Sequence, residues 1–204
     1  MEIENIIFDL DGVIVDVFPE ETERAFEEKL GISKDNINRM NLTEGFAKVF
    51  EAGKVSMQTF RNSVRHYSRN ELSDEQIDEA WNKMIGDLVP GSLDLLEDIA
   101  KNKNIYLLSN TNPIHLAKFK ENIESKIDFT SFNKIFKGAY YSHKIGWRKP
   151  KVEAFSYVIN KNRLDKQKTL FIDDKLENIE SAQKYGLKTL HLKSSLSEIE
   201  DLLR

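Results

Sequence analysis

The chain has no cysteine. Disulfides, thiolate metal sites and thiol nucleophiles are therefore excluded, and the absence suits a reducing cytoplasm. It also lacks a basic excess, with 30 lysines and arginines against 34 aspartates and glutamates and a formal charge of −4. A groove binder normally carries a clustered basic face, so no nucleic-acid partner is expected. No apolar run approaches the roughly 20 residues needed to span a bilayer. The N-terminal MEIENIIFDL has neither a basic n-region nor a long apolar h-region. This argues against a signal peptide and for a soluble, cytoplasmic protein without a membrane partner. Repeats, low-complexity tracts and long like-charge blocks are missing too.

What is present fits one core with a modest insertion: 204 residues, of which 40% are apolar. Five short β-rich runs stand out: IIF (6–8), NIYLLS (104–109), KIFKGAYYS (134–142), TLFID (169–173) and TLHLK (189–193). Between most of them lie helical stretches. SLDLLEDIAKN follows Pro90 and Gly91, PIHLAKFKENI opens with Pro113, PKVEAFSYVINK opens with Pro150, and KLENIESAQKYG closes at Gly186. The alternation predicts an α/β fold, a Rossmann-like parallel sheet with helices on both faces.

The stretch 17–88 breaks this rhythm. It contains EETERAFEEKLG, LTEGFAKVFEAG, VSMQTFRNSVRHYS and a segment opening on the capping box SDEQ at Ser73. Phe46, Val49 and Phe50 recur at helical spacing, and no strand is evident. The expected organisation is a core of 1–16 and 89–204, with an all-helical cap at 17–88. Open α/β sheets bind ligands beyond the carboxyl ends of their strands, so an insertion after the first strand sits where a lid would be.

Polar residues gather at those ends. IIFDLDG runs out in Asp9 and Asp11, NIYLLS leads into Ser109 and Asn110, and TLFID ends in Asp173 and Asp174. Pro is favoured at the first helical position, which places Asn112 and Lys149 near two helix N-caps. Helix N-termini, a Ser hydroxyl and a Lys ammonium suit a phosphate. Carboxylates facing that anion would repel it, since two like charges about 4 Å apart cost roughly 4 kcal/mol at an effective dielectric near 20. A divalent cation removes the conflict, and oxygen-only ligands around phosphate favour Mg²⁺. Each element has a plainer reading: DxDG as a turn, SNTNP and DD as helix caps, Lys149 as a solvated lysine. All four in order, each at a strand end or helix start, favour the site.

FDLDG, LLSN, RKP and FIDD resemble, in that order, the four motifs of the haloacid dehalogenase-like (HAD) superfamily of phosphohydrolases. The likeness covers the whole core, and the inserted helices correspond to a C1-type cap. LLSNTN, YYSHKIGWRKP and FIDDKLENIESA are most similar to bacterial sugar-phosphate phosphatases of the α-D-glucose-1-phosphate phosphatase type. The resemblance implies a Mg²⁺-dependent phosphomonoester hydrolase for a small sugar phosphate such as glucose 1-phosphate. Asp9 would form an aspartyl-phosphate and Asp11 would serve as acid and then base. Ser109, the Asn110 backbone and Lys149 would hold the phosphoryl group. The Asp9 carboxylate, the Asp11 carbonyl and Asp174 would bind the metal, with Asp173 ordering water around it; Asp173 and Asp174 could exchange these roles. Dehalogenases of the superfamily lack the second aspartate of the first motif, which here is Asp11. Alternatives are a phosphosugar mutase and a weakly catalytic Mg²⁺- and phosphate-binding regulator, with a dehalogenase last. Monomer and homodimer are both left open.

His66, His115, His143 and His191 show no metal spacing and read as surface or packing residues. His143 and Trp147 precede Lys149 and could border the pocket. Phe46, Phe50, Phe60 and Tyr67 read as cap core. Arg24, Lys48, Lys54 and Arg61 could reach a second anionic group, although most charges on such helices are simply solvated.

Overall fold

The structure is a computed structural model and describes residues 2–40 and 45–196. The first strand, β1 (Asn5–Phe8), is buried at every position. It leads through a tight turn to β2 (Val15–Val17). Among the described residues five helices follow: α1 (Pro19–Glu28), α2 (Lys34–Met40), α3 (Phe46–Glu51), α4 (Met57–Tyr67) and α5 (Asp74–Trp81). Then come β3 (Ile85–Leu88), α6 (Ser92–Ile99), β4 (Asn104–Ser109), α7 (Pro113–Ile123) and α8 (Phe129–Ile135). The chain continues with β5 (Gly138–Tyr141), α9 (Ser142–Ile145), α10 (Val152–Asn162), β6 (Thr169–Asp173), α11 (Leu176–Tyr185) and β7 (Lys188–His191).

Five strands form one sheet in the order β5-β4-β1-β6-β7, every pair parallel. Ile6 and Phe8 join the apolar cluster that includes Leu96, Phe119 and Phe132, while Ile7 joins the cluster of Phe155, Val158 and Ile179 on the other face. A strand covered on both faces reads as an unbroken apolar run, as IIF does. Among the described residues no helix is long and apolar enough to cross a membrane.

Two expectations need correction. KIFKGAYYS is a strand only at Gly138–Tyr141. Its start belongs to α8, because the Asp128 carboxylate caps that helix by accepting from the Thr130 and Ser131 amides. The stretch 17–88 is also not wholly helical at its ends: Val15 pairs with Leu88 and Val17 with Ile85 in an antiparallel ladder. These strands of three and four residues, VDV and IGDL, are too short to show a period-two pattern.

The helices between β2 and β3 have an apolar cluster of their own, including Phe26, Phe50, Phe60, Ile77 and Trp81. Phe60 stacks on Phe50 at 4.6 Å and lies 4.9 Å from Trp81, centroid to centroid. Phe46 and Tyr67 are partly buried against it, whereas Val49 is exposed. Residues 42–44, which begin the expected helix LTEGFAKVFEAG, lie outside the described residues. Ser73 and Gln76 form the expected capping box.

The cluster reaches the sheet's helical layer at α7, where His115 stacks on Trp81 at 4.6 Å and its Nε2 lies 3.1 Å from the Trp81 carbonyl. Burial lowers His115 from its ordinary value of 6.5 to about 4. Between those two values the unfolded chain binds a proton that the folded one does not, so stability falls with falling pH and is fully present only above the unfolded value. The difference is about 3 kcal/mol. In urea titrations His115→Gln is expected to lose about that much less stability than wild type between neutral pH and pH 4; equal losses would show that His115 is not the group responsible.

Candidate active site

The site forms where the carboxyl ends of β4, β1 and β6 lie side by side. Asp9 follows β1 directly, and its amide still donates to the Ile172 carbonyl of β6 at 2.9 Å. Ser109 ends β4 and Asp173 ends β6. The amides of Val13, Ile14 and Val15 all turn back onto the Leu10 carbonyl. Gly12 permits this turn with φ +78, and a Cβ there would lie 2.5 Å from Asp174 Oδ2. Glycine at this position therefore lets the first turn close against the Asp174 carboxylate.

Lys149 is completely buried, and its Nζ donates to Asp9 Oδ1 at 2.6 Å and to Asp173 Oδ2 at 2.7 Å. Its backbone is clamped by the Asn110 side chain, which accepts from the Lys149 amide and donates to the Lys149 carbonyl, each at 2.9 Å. Asp173 takes further donors: the Lys175 amide at 2.8 Å on Oδ1 and the Asn178 amide nitrogen at 3.0 Å from both oxygens. Burial opposes the Asp173 charge, yet Lys149, Asn178 and the Lys175 amide hold its carboxyl below the ordinary range. Asp9 has fewer donors, and burial together with the Asp173 charge pushes it up. Burial works against the Lys149 ammonium, but Asp173 and Asp9 hold it charged. Asp11 is pushed up to about 7, first by burial, with Lys175 opposing and Glu51 adding to the rise.

Several buried polar atoms among the described residues lack partners, Asn112 Nδ2 and Asn178 Oδ1 among them, and two of them bear directly on a ligand. Ser109 Oγ and Asp174 Oδ1 are buried without a hydrogen bond. Unsatisfied buried groups cost about 1–3 kcal/mol each, and their place at one strand edge suits a bound ligand. Asp9, Asp173 and Asp174 can each offer one carboxylate oxygen such that all three lie within 4.8 Å of one another. A hard divalent cation fits that donor set.

The haloacid dehalogenase-like hydrolase family matches residues 3–186 of the chain. The chain belongs to this HAD family. Among its relatives, the D-ribitol-5-phosphate phosphatase of Bacteroides thetaiotaomicron is 31% identical over 189 residues, covering 92% of this chain and 90% of the relative. A HAD enzyme crystal structure from the same organism superposes with a TM-score of 0.90 at 29% identity, over 100% of both chains. Another, a complex with magnesium and inorganic phosphate, gives 0.85 at 31% identity over 97% of this chain and 98% of that one.

Against this HAD frame most expected residues converge on the strand edge. Asn112 is the N-cap of α7, accepting from the Ile114 and His115 amides. Lys149 lies two residues before Lys151, the N-cap of α10, so it is near that helix start without capping it, and its ammonium is buried. His143 Nδ1 lies 3.0 Å from the Thr111 carbonyl and His191 Nε2 lies 2.9 Å from that of Asp174, both packing contacts. His66 packs edge-on against Tyr67. Arg61 is spent within the helical stretch, on Asp78 and Asp74, and Arg24 pairs with Glu21. Lys54 lies over the Trp147 ring. Missed from sequence were Asn178, in the first turn of α11, and the charged trio Glu51, Arg148 and Lys175.

Proposed function

We propose that this HAD enzyme is a Mg²⁺-dependent phosphatase of small sugar or polyol phosphates, with Asp9 as nucleophile. The reading rests on one arrangement: a buried Lys149 bridging Asp9 and Asp173, beside the unpartnered Ser109 Oγ and Asp174 Oδ1. The Leu10 amide donates to Asp9 Oδ1 at 2.7 Å and the Lys149 ammonium pairs with the same oxygen at 2.6 Å. Oδ2 is therefore the oxygen that attacks phosphorus. Ser109 Oγ and Lys149 Nζ supply donors to the phosphoryl oxygens, where charge-assisted bonds are strongest. Asp11, near 7, can protonate the departing alcohol and then take a proton from the water that hydrolyses the aspartyl-phosphate. Asp9 and Asp174 would hold Mg²⁺, which supplies charge neutralisation for the phosphoryl transfer. Asp173, its oxygens already engaged by Lys149, Asn178 and the Lys175 amide, positions Lys149 instead. The helices between β2 and β3 form the lid over this edge, with the cap spanning 17–88.

The substrate class follows from the resemblance to the ribitol-phosphate enzyme and from the polar residues around the site. The test is phosphate release from a panel including D-ribitol 5-phosphate, glucose 1-phosphate and p-nitrophenyl phosphate, with Mg²⁺ or with EDTA. Release is expected with Mg²⁺ and is expected to drop to background in EDTA. Silence across the panel with Mg²⁺ would defeat the reading, and isomerised product without free phosphate would make the enzyme a mutase.

A further inference from the structure

A cavity of about 330 Å³ is lined by Glu51, Arg148 and Lys175 together with the apolar Trp81, Met84 and Ala47; Arg148 directly precedes the buried Lys149 and Lys175 directly follows Asp174 in the chain, which ties this cavity to the site. Glu51 ends α3, and its side chain is only 20% exposed. Its backbone carbonyl accepts from Ser142 Oγ at 2.6 Å, and Ser142 Oγ also accepts from the Thr111 amide, just past β4. The segment that follows is pressed onto the same loop, since a Cβ on Gly53 would lie 2.3 Å from the His143 carbonyl. The Glu51 backbone is thus anchored to the residues that follow β4 and β5 although it belongs to the helical stretch.

Arg148 Nε donates to Glu51 Oε2 at 3.0 Å, and the arginine side chain is 12% exposed. The pair is joined through that single contact, not through the two-pronged geometry an Arg–carboxylate pair usually adopts. One guanidinium edge and one carboxylate oxygen are therefore not used between them. Glu51 lines this cavity from the inserted helices, opposite Arg148 and Lys175 of the sheet domain. A carboxylate facing an incoming phosphate would only repel it. Next to an alcohol it would be an acceptor for hydroxyls, and the apolar Trp81 and Met84 line the same cavity.

We propose that Glu51, oriented by Arg148, selects the leaving group by accepting a hydrogen bond from a hydroxyl close to the ester carbon. The preferred substrates are then polyhydroxylated phosphomonoesters, and simple alkyl phosphates are rejected. A site built to bond a hydroxyl rejects the analogue without it because its own buried groups are left unpaired. This inference rests on the phosphatase reading above.

The test compares kcat/KM for a pentitol 5-phosphate and for 1-pentyl phosphate, in wild type and in Glu51→Gln. Wild type is expected to prefer the pentitol ester, and the variant to reduce the ratio by roughly fivefold to tenfold, because glutamine keeps an acceptor oxygen and loses only the charge that strengthens the bond. An equal fall on both substrates would overturn the inference, because a purely structural Glu51–Arg148 pair would leave the ratio untouched. So would a wild-type enzyme that cleaves both esters alike. No phosphate release from either ester, or from p-nitrophenyl phosphate, would remove the phosphatase reading itself and this inference with it. If Glu51→Gln does not fold, Arg148→Lys gives the same readout, since lysine cannot reproduce the guanidinium contact that orients the carboxylate; an unchanged ratio there overturns the inference equally.

Discussion

Asp9→Asn is expected to abolish phosphate release, by about 10⁴-fold or more, while the protein stays folded. Asparagine has the shape of aspartate and keeps an oxygen for the Leu10 amide and for Lys149, whose bonds reach Oδ1 at 2.7 and 2.6 Å. What it lacks is a nucleophilic carboxylate. The fold tolerates the change because Lys149 keeps Asp173, so no buried charge is left alone. Asp9 is moreover the carboxylate that burial already disfavours in its charged form, so neutralising it removes a desolvation cost along with an attraction. Wild-type and variant melts should lie within a few degrees, and only the wild type should form an acid-stable, hydroxylamine-sensitive phosphoprotein. Wild-type turnover in the variant would remove Asp9 as nucleophile.

Much of this arrangement is legible in the amino-acid sequence, and the reason is physical. Buried parallel strands need apolar runs such as NIYLLS and TLFID, and a sheet with helices on both faces brings their carboxyl ends together. Asp9, Ser109 and Asp173 therefore share an edge, because β4-β1-β6 are parallel neighbours. Proline and capping chemistry located α7 and α5 in the same way, through Asn112 and Ser73.

Other features have no local signal. Glu51 and Arg148 are 97 positions apart and meet only because α3 docks on α9, just after β5. Asn178 looks like any helical asparagine until its amide is seen across both Asp173 oxygens. β2 and β3 are held by each other and not by a pattern of their own. Lys149 was expected beside a helix start, where a lysine is ordinarily solvated. Its complete burial depends on two carboxylates from strands that are distant in sequence and adjacent in space.

That burial sets the second large effect. Lys149→Met is expected to destabilise the protein by about 3–5 kcal/mol, the cost of breaking a buried ion pair by removing one partner. For a chain of this size the loss corresponds to roughly 10–15 °C in Tm. Methionine fills the lysine stem's space but leaves Asp9 and Asp173 facing each other without their shared cation. Each is then held in the fold above its unfolded value, so the missing stability belongs to the charged state: the deficit against wild type should be largest near neutral pH and shrink as the pH falls toward 4 and the carboxylates take up protons. Lys168 is the control. Its pair with Glu4 is 2.6 Å long, comparable in length, but the two side chains are 38% and 53% exposed, and such surface pairs contribute about 0–1 kcal/mol. Calorimetric melts of Lys149→Met and Lys168→Met in EDTA, at neutral and acidic pH, make the comparison. If the two variants melt together, or the Lys149 deficit persists unchanged under acid, Lys149 is not neutralising Asp9 and Asp173, and its assignment to the phosphoryl group loses its electrostatic basis.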